Sequence, residues 1–397
     1  DKYCPVPRRL ADVYGRVLFV TLLWFTTFVS RFIFSPLLPS IGPDVGLTPG
    51  EAGTIFFLGS LGALGGSLLS GFLSSRIDHR GTLVFSILVT AAALMACYFA
   101  RSVWFIQVVM IVLGVCAGLN MPSVTATVAA MVSREDWGKA LSVQQLAPRL
   151  SYAAAPFLAV GLLAALSWQV ALVVMGLFAA VAGIAFLVWG DCGGFPGTPP
   201  SLPLFGVILR QRSFWIMVFL FSLGMGAQAG LYTMMPLYLT QQRGFTVASA
   251  NTLLGLASIS PLVMTFFAGW LTDRIGERRA IFFSLIATGA AVIMLGSVSG
   301  GWLTASVFLT PALAACFFPP AFAALSRLVQ PNLRSLAAGL APSTAFMVGG
   351  GLVPIGLGYM GQAYSFGSGI VIVGAAVIVG SFVVFALKLL DRLDPGC

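Results

Sequence analysis

Two arginines stand where a charge is costly. Arg31 falls about the middle of the first long apolar run, near 17–41. Arg149 falls within the fifth, in Gln144-Gln145-Leu146-Ala147-Pro148-Arg149-Leu150-Ser151-Tyr152. Runs of about 20 apolar residues are long enough to cross a bilayer as helices, and an ionised side chain inside one marks a functional candidate. All twelve acids lie in connections or at the ends of the chain, so the sequence places no carboxylate at the depth of either arginine. Two guanidiniums facing one cavity repel each other, and a bound anion relieves both. Their fork also matches carboxylate, phosphate or sulfonate oxygens bidentately. These residues point to a site for a small anion. The structural alternative is that one or both hydrogen-bond helix carbonyls, glutamines and serines, with Arg149 the stronger candidate for that duty.

Trp24 and Arg31 are seven residues apart, which puts them on one helix face about 10 Å apart along the axis. Phe28 lies between them. An aromatic wall beside a cation could hold the apolar body of an organic anion; aromatic packing between helices is the competing reading. Weaker cavity-lining candidates are Asn120 in the fourth run and Gln228, Tyr232 and Tyr238 in the seventh. Each could equally satisfy backbone groups freed by nearby prolines and glycines.

What must position these residues is a stack of membrane helices. Apolar residues make up 58% of the chain and charged residues 8%, with mean hydropathy +0.99. A soluble surface needs far more charge, and the runs are continuous rather than alternating with period two. The net charge of +9 suggests nucleic acid only until the basic residues are placed. They crowd every second connection, as in Lys2, Arg8, Arg9 and Arg16, then Arg76 and Arg80, then Arg134 and Lys139, and on to Lys388 and Arg392; the alternate connections hold only Arg101 and Arg243. That is positive-inside asymmetry with both termini expected in the cytoplasm. No cleavable signal pattern is read at the N-terminus.

Twelve spans are expected, near 17–41, 52–74, 82–100, 103–132, 141–165, 168–190, 213–239, 246–272, 280–298, 301–328, 335–361 and 366–389. The domains follow as a six-helix bundle at 1–190, a cytoplasmic linker rich in Pro and Gly at 191–212, and a second six-helix bundle at 213–397. The fold class is an all-α membrane protein. Trp104, Trp168 and Trp302 mark one membrane boundary, and Trp137, Trp189, Trp215 and Trp270 the other; Trp24, deep in the first span, fits neither. The six cysteines, Cys4, Cys97, Cys116, Cys192, Cys316 and Cys397, form no CxxC, and no clustered carboxylates could bind a metal. A single histidine and no phosphate-binding glycine loop leave no catalytic constellation, so no enzyme, metal or cofactor is expected.

The chain repeats itself at an offset of 198. Gly269-Trp270-Leu271-Thr272-Asp273-Arg274-Ile275-Gly276-Glu277-Arg278-Arg279 returns to Gly71-Phe72-Leu73-Ser74-Ser75-Arg76-Ile77-Asp78-His79-Arg80-Gly81, Pro320 to Pro122, and Pro354 to Pro156. Such self-similarity means two homologous halves. Arg31 and Arg149 have no counterparts, since Ala229 and Met347 stand at their offsets. The repeated stretch resembles the G-x-x-x-D-R-x-G-R-[KR] motif of the major facilitator superfamily, nearly throughout in the second copy and in Gly71, Arg76 and Arg80 in the first. The resemblance implies a secondary transporter, commonly monomeric, in which the first and fifth spans line a central cavity. It implies a conformational duty for Gly71, Arg76, Arg80, Asp273, Arg274, Gly276 and Arg278, the aspartate latching onto a helix start in the opposite half. Ser75 replaces that aspartate in the first copy, weakening the latch there unless Asp78 substitutes. His79 is expected to be solvated in an exposed loop.

The function read from these features is movement of a small, organic anion by alternating access, as exchange, uniport or proton-linked symport. Its partners are the anionic substrate, the lipid bilayer and a coupling proton or counter-anion. The competing readings are a multidrug or metabolite exporter, on a degraded glycine-proline motif at Ser151–Val160, and a sensor that binds without transport. A bacterial inner membrane is the expected location.

Overall fold

A computed structural model describes residues 9–197, 202–328 and 334–387. Lys2, Arg8, Cys4, the linker prolines Pro199 and Pro200, Lys388, Arg392 and Cys397 lie outside these residues. The described chain is helical, with no strand among the described residues. Among the described residues, eleven helices are long and apolar enough to cross a membrane. One of them, Pro49–Phe99, has 51 residues, about 76 Å of helix against a hydrocarbon core of about 30 Å. Its backbone breaks at Asp78, so it makes two passes, and the described residues make twelve.

The passes are α1 (Leu10–Val45), α2 (49–77), α3 (79–96), α4 (Val103–Met131), α5 (Arg134–Leu163), α6 (Trp168–Trp189), α7 (Arg212–Gln242), α8 (Val247–Ile275), α9 (Glu277–Ser297), α10 (Gly301–Leu328), α11 (Ala337–Ala363) and α12 (Phe366–Ala386). They follow the expected spans closely. The largest differences are at the starts of α1, at Leu10 rather than near 17, and of α5, at Arg134 rather than near 141; Arg16 in the α1 extension pairs with Asp191 beyond α6.

Two compact units divide the chain: Asp1–Pro200 with Phe245–Gly255, and Ser201–Gly244 with Leu256–Cys397. In the first, α2 and α4 meet backbone to backbone. A Cβ on Gly114 would stand 2.1 Å from the Gly59 carbonyl oxygen, and one on Gly118 2.1 Å from that of Ala63. Gly62 and Gly66 return the contact against Ile111 and Val115. In the second unit, α7 meets α11 in the same way, Gly349 lying against the Ser222 carbonyl. Small residues permit such approach without side chains intervening.

The recurring prolines act differently in the two units. Pro122 and Pro156 sit inside continuous helix. Pro320 follows a break at Cys316–Phe317, and Pro354 follows a π-helical turn, Val348–Leu352. A proline cannot bond the carbonyl four residues back; those carbonyls, at Cys316 and Gly350, lie in the interruptions.

Candidate functional site

The first unit gathers most of the chemistry-bearing residues on one stripe of α1. Trp24, Thr27, Phe28 and Arg31 share a face by helical spacing. Arg31 is buried, at 6% exposure. Its Nη2 donates to Ser60 Oγ at 2.9 Å, and that hydroxyl donates to the Phe56 carbonyl at 2.8 Å. The neighbour on α2 is Gly59, where a Cβ would fall 3.4 Å from Arg31 Nε and 3.2 Å from Met110. The glycine–serine pair thus makes a recess for the guanidinium, floored by the α2–α4 contact.

One turn below, Asn120 of α4 is fully buried and donates to Thr27 Oγ1 at 2.6 Å. Thr27 passes its own proton to Leu23 O at 3.0 Å. The aromatic wall is present and longer than two residues. Ring centroids run Trp24–Phe28 4.5 Å, Phe28–Phe32 5.6 Å and Phe32–Tyr152 4.3 Å. Ser60, Thr27, Phe32 and Tyr152 were not singled out from sequence. A polar residue beside Gly59 in an apolar run was the available signal for Ser60, while nothing local marks Tyr152 as α1's neighbour.

Arg149 is half-buried on α5. The register comes from Ser151, whose Oγ lies 3.3 Å from the Phe25 carbonyl. Phe25 precedes Arg31 by six residues, roughly 9 Å of helix. Arg149, two residues before Ser151, therefore lies at about the level of the Trp24–Phe25 turn, but a two-residue step turns its side chain about 200° from the face that Ser151 lays on α1.

The second unit's candidates divide. Gln228 and Tyr232 are half-buried, Gln228 within a π-helical turn, Gly226–Gly230. Ala229, at the offset of Arg31, is in that turn, and Met347, at the offset of Arg149, directly precedes the one in α11. π-turns inside α-helices recur at functional sites. Tyr238 is instead anchored: its hydroxyl donates to Leu295 O at 2.7 Å and accepts from Arg243 Nε at 2.8 Å. Arg243 continues to Gly296 O at 3.1 Å. This is the backbone-satisfying alternative.

At the motif corners, Arg76, Asp273 and Arg274 are exposed, and Arg274 lies over the Trp270 ring at 4.3 Å. Gly71 is half-buried at the end of α2. Arg80 donates to Leu187 O at 2.7 Å, near the end of α6, and Arg278 donates to Leu387 O just past α12. The two arginines thus serve matching positions. Asp78 caps its own helix, Oδ1 accepting from Gly81 N at 2.6 Å, and Ser75 bonds back to Phe72 O. His79 departs from expectation. It is buried rather than solvated, because the segment after α6 folds over it.

Comparison with known proteins extends these observations. A family model described as the Major Facilitator Superfamily matches residues 20–260 and 240–396. The chain is 23% identical over 376 residues to a gallate transporter of Pseudomonas putida, covering 86% of this chain and 80% of that protein. It is 23% identical over 294 residues to a probable sulfoacetate transporter, SauU, of Cupriavidus necator, covering 69% and 67%. Among solved structures, a bacterial homolog of the human lysosomal transporter Spinster, inward-facing and occupied, superposes with TM-score 0.81 at 11% identity, covering 96% of this chain and 97% of that one.

Proposed function

The chain belongs to the Major Facilitator Superfamily, and on that premise we propose that this multi-pass membrane transporter carries a small organic anion by alternating access. It is not an enzyme. The observation that carries the anion reading is the burial of Arg31 in the recess formed by Gly59 and Ser60. Arginine stays charged in proteins and offers a planar fork of donors. A carboxylate arriving at that fork meets a charge that Ser60 meets with a neutral hydroxyl. The relatives' names agree in kind, gallate and sulfoacetate both being organic anions.

In this reading Arg31 takes the anionic group and Phe28, with Trp24 beside it, lies along the organic body. Asn120 holds the Thr27 turn in place. Arg149, half-buried on α5, is the second cationic candidate for the anion. Gln228 and Tyr232 are the second unit's own candidates for substrate contact. The corners holding Gly71, Arg76, Arg80, Asp273, Arg274, Gly276 and Arg278 serve the conformational change. The acids of the chain lie outside the middle of the spans, so coupling is by exchange with a counter-anion, by uniport, or by a proton carried on the substrate. The protein works as a monomer in a bacterial inner membrane, its basic connections and both termini on the cytoplasmic side.

A thermal-stability screen of the purified protein tests the reading. The panel holds small mono- and dicarboxylates, sulfonates, phosphate, nitrate and lipophilic cations, repeated on Arg31→Ala and Arg149→Ala. A ligand bound to the folded state raises Tm by mass action. Stabilisation by one class of anion, lost in Arg31→Ala, is the expected result. Stabilisation by lipophilic cations alone, unchanged in both variants, replaces the anion reading with an exporter.

A further inference from the structure

The segment after α6 closes both ends of the α2–α3 corner. A helix leaves its first N–H groups and last C=O groups without partners in the helix itself. At the start of α3, His79 N donates to Phe195 O at 3.2 Å, Arg80 N to Gly193 O at 2.8 Å, and Gly81 N to Asp78 Oδ1 at 2.6 Å. At the end of α2, Ser74 O accepts from Gly197 N at 3.0 Å. Two of the three α3 donors and one α2 acceptor are therefore satisfied from more than 100 residues away.

The strap fits only because it is short of side chains. A Cβ on Gly197 would lie 1.9 Å from Ser74 Oγ, and one on Gly193 2.9 Å from Thr127 Oγ1; Gly193 also has φ +82°. Between them Phe195 packs its ring on His79 at 4.8 Å, edge to face. The imidazole is 8% exposed and its Nδ1 is 3.2 Å from Ser123 Oγ on α4. The base of the strap is held by the Arg16–Asp191 ion pair.

We propose that residues 192–197 form a clip on this corner that is held while His79 is neutral and released when His79 is protonated. A buried imidazole under a phenylalanine ring loses the water an imidazolium needs. The groups around it set the balance. Asp78 and Arg80 flank His79 on its own corner with opposite charges, and Asp78 is engaged with Gly81 N. Ser74 of α2 and Ser123 and Thr127 of α4 are uncharged. From the strap come Asp191, neutralised by Arg16, and Cys192, whose thiol burial pushes up to about 12. Burial is the largest influence on His79 and lowers its pKa from 6.5, with Asp78 opposing. The clipped state therefore has the lower pKa. Clip stability is complete above the ordinary histidine value of about 6.5, and it is lost as pH falls from there through the lower value of the clipped state. Release frees six residues, about 20 Å of extended chain.

His79 is the only histidine in the chain, so its ring signal needs no assignment by mutation. The experiment is NMR titration of that imidazole in the full chain, expressed without a histidine tag, with amide hydrogen exchange at residues 79–81 and 193–197. Gly197→Val, whose side chain cannot fit against Ser74, holds the strap off at all pH. In the wild type the titration midpoint lies below 6.5, and protection, corrected for intrinsic exchange, falls about tenfold between pH 7.5 and 5.5. In Gly197→Val the midpoint rises toward the ordinary value, and strap protection is low at both pH values. A wild-type midpoint equal to that of Gly197→Val overturns the proposal. Protection in the wild type that does not change with pH does so as well.

Discussion

Asp78 holds φ +60° and ψ 176°, and Gly276, its counterpart 198 residues on, holds φ +80° and ψ 158°. The same corner is thus built once with glycine and once with a residue for which that conformation costs about 1–3 kcal/mol. What Asp78 gains is its cap on Gly81, and caps contribute about 1 kcal/mol. Asp78→Gly removes the strain and, at a cap position, costs only tenths; Asp78→Ala keeps the strain and loses the cap. Thermal unfolding should place Asp78→Gly at or above the wild type and Asp78→Ala below it.

Arg31 owes its place to Gly59 and Ser60. Arg31→Lys keeps the charge and loses the planar fork, so stabilisation by the preferred anion should drop at least tenfold in apparent affinity. Ser60→Ala removes one bond to a charged group, worth about 1.5–3 kcal/mol, and should weaken the same anion response less than Arg31→Ala does. Binding titrations on the three variants give the order.

Gly114→Ala tests the α2–α4 contact. Its new Cβ would stand 2.1 Å from Gly59 O, so backbone must shift. Overpacking of this kind costs about 1–3 kcal/mol. Because Gly59 also borders the guanidinium, Tm and anion affinity should fall together, whereas Gly161→Ala on α5, with open space at its Cβ, should change neither.

Tyr238→Phe separates anchoring from binding. The variant leaves Leu295 O without its donor and Arg243 Nε without its acceptor, a loss of about 1–3 kcal/mol. Tm should drop while the shift produced by anion stays the size it has in the wild type. A reduced anion shift at equal occupancy of the folded state would return Tyr238 to the substrate site.

Much of the fold was legible because bilayer spans announce themselves through continuous apolar runs. The α1 stripe was legible too, since Trp24, Phe28 and Arg31 need only helical spacing to share a face. Contacts made far along the chain were not. His79 looked solvated because its cover, Phe195, lies 116 residues later in a stretch that reads as plain linker. The anchoring of Tyr238 was not legible because nothing near it in sequence names Leu295 as its acceptor. The π-turns at Gly226–Gly230 and Val348–Leu352 carry only glycines as a hint, and glycine-rich packing at α2 and α4 produces no such turn.

The contact of α2 with α4 joins main chain to main chain along Gly59, Gly62, Gly114 and Gly118. An acyl chain has no room to enter where the two backbones touch at these glycines. The recess that holds Arg31 is consequently insulated from the composition of the membrane. Anion affinity is therefore expected to stay the same when lipid unsaturation or headgroup is varied.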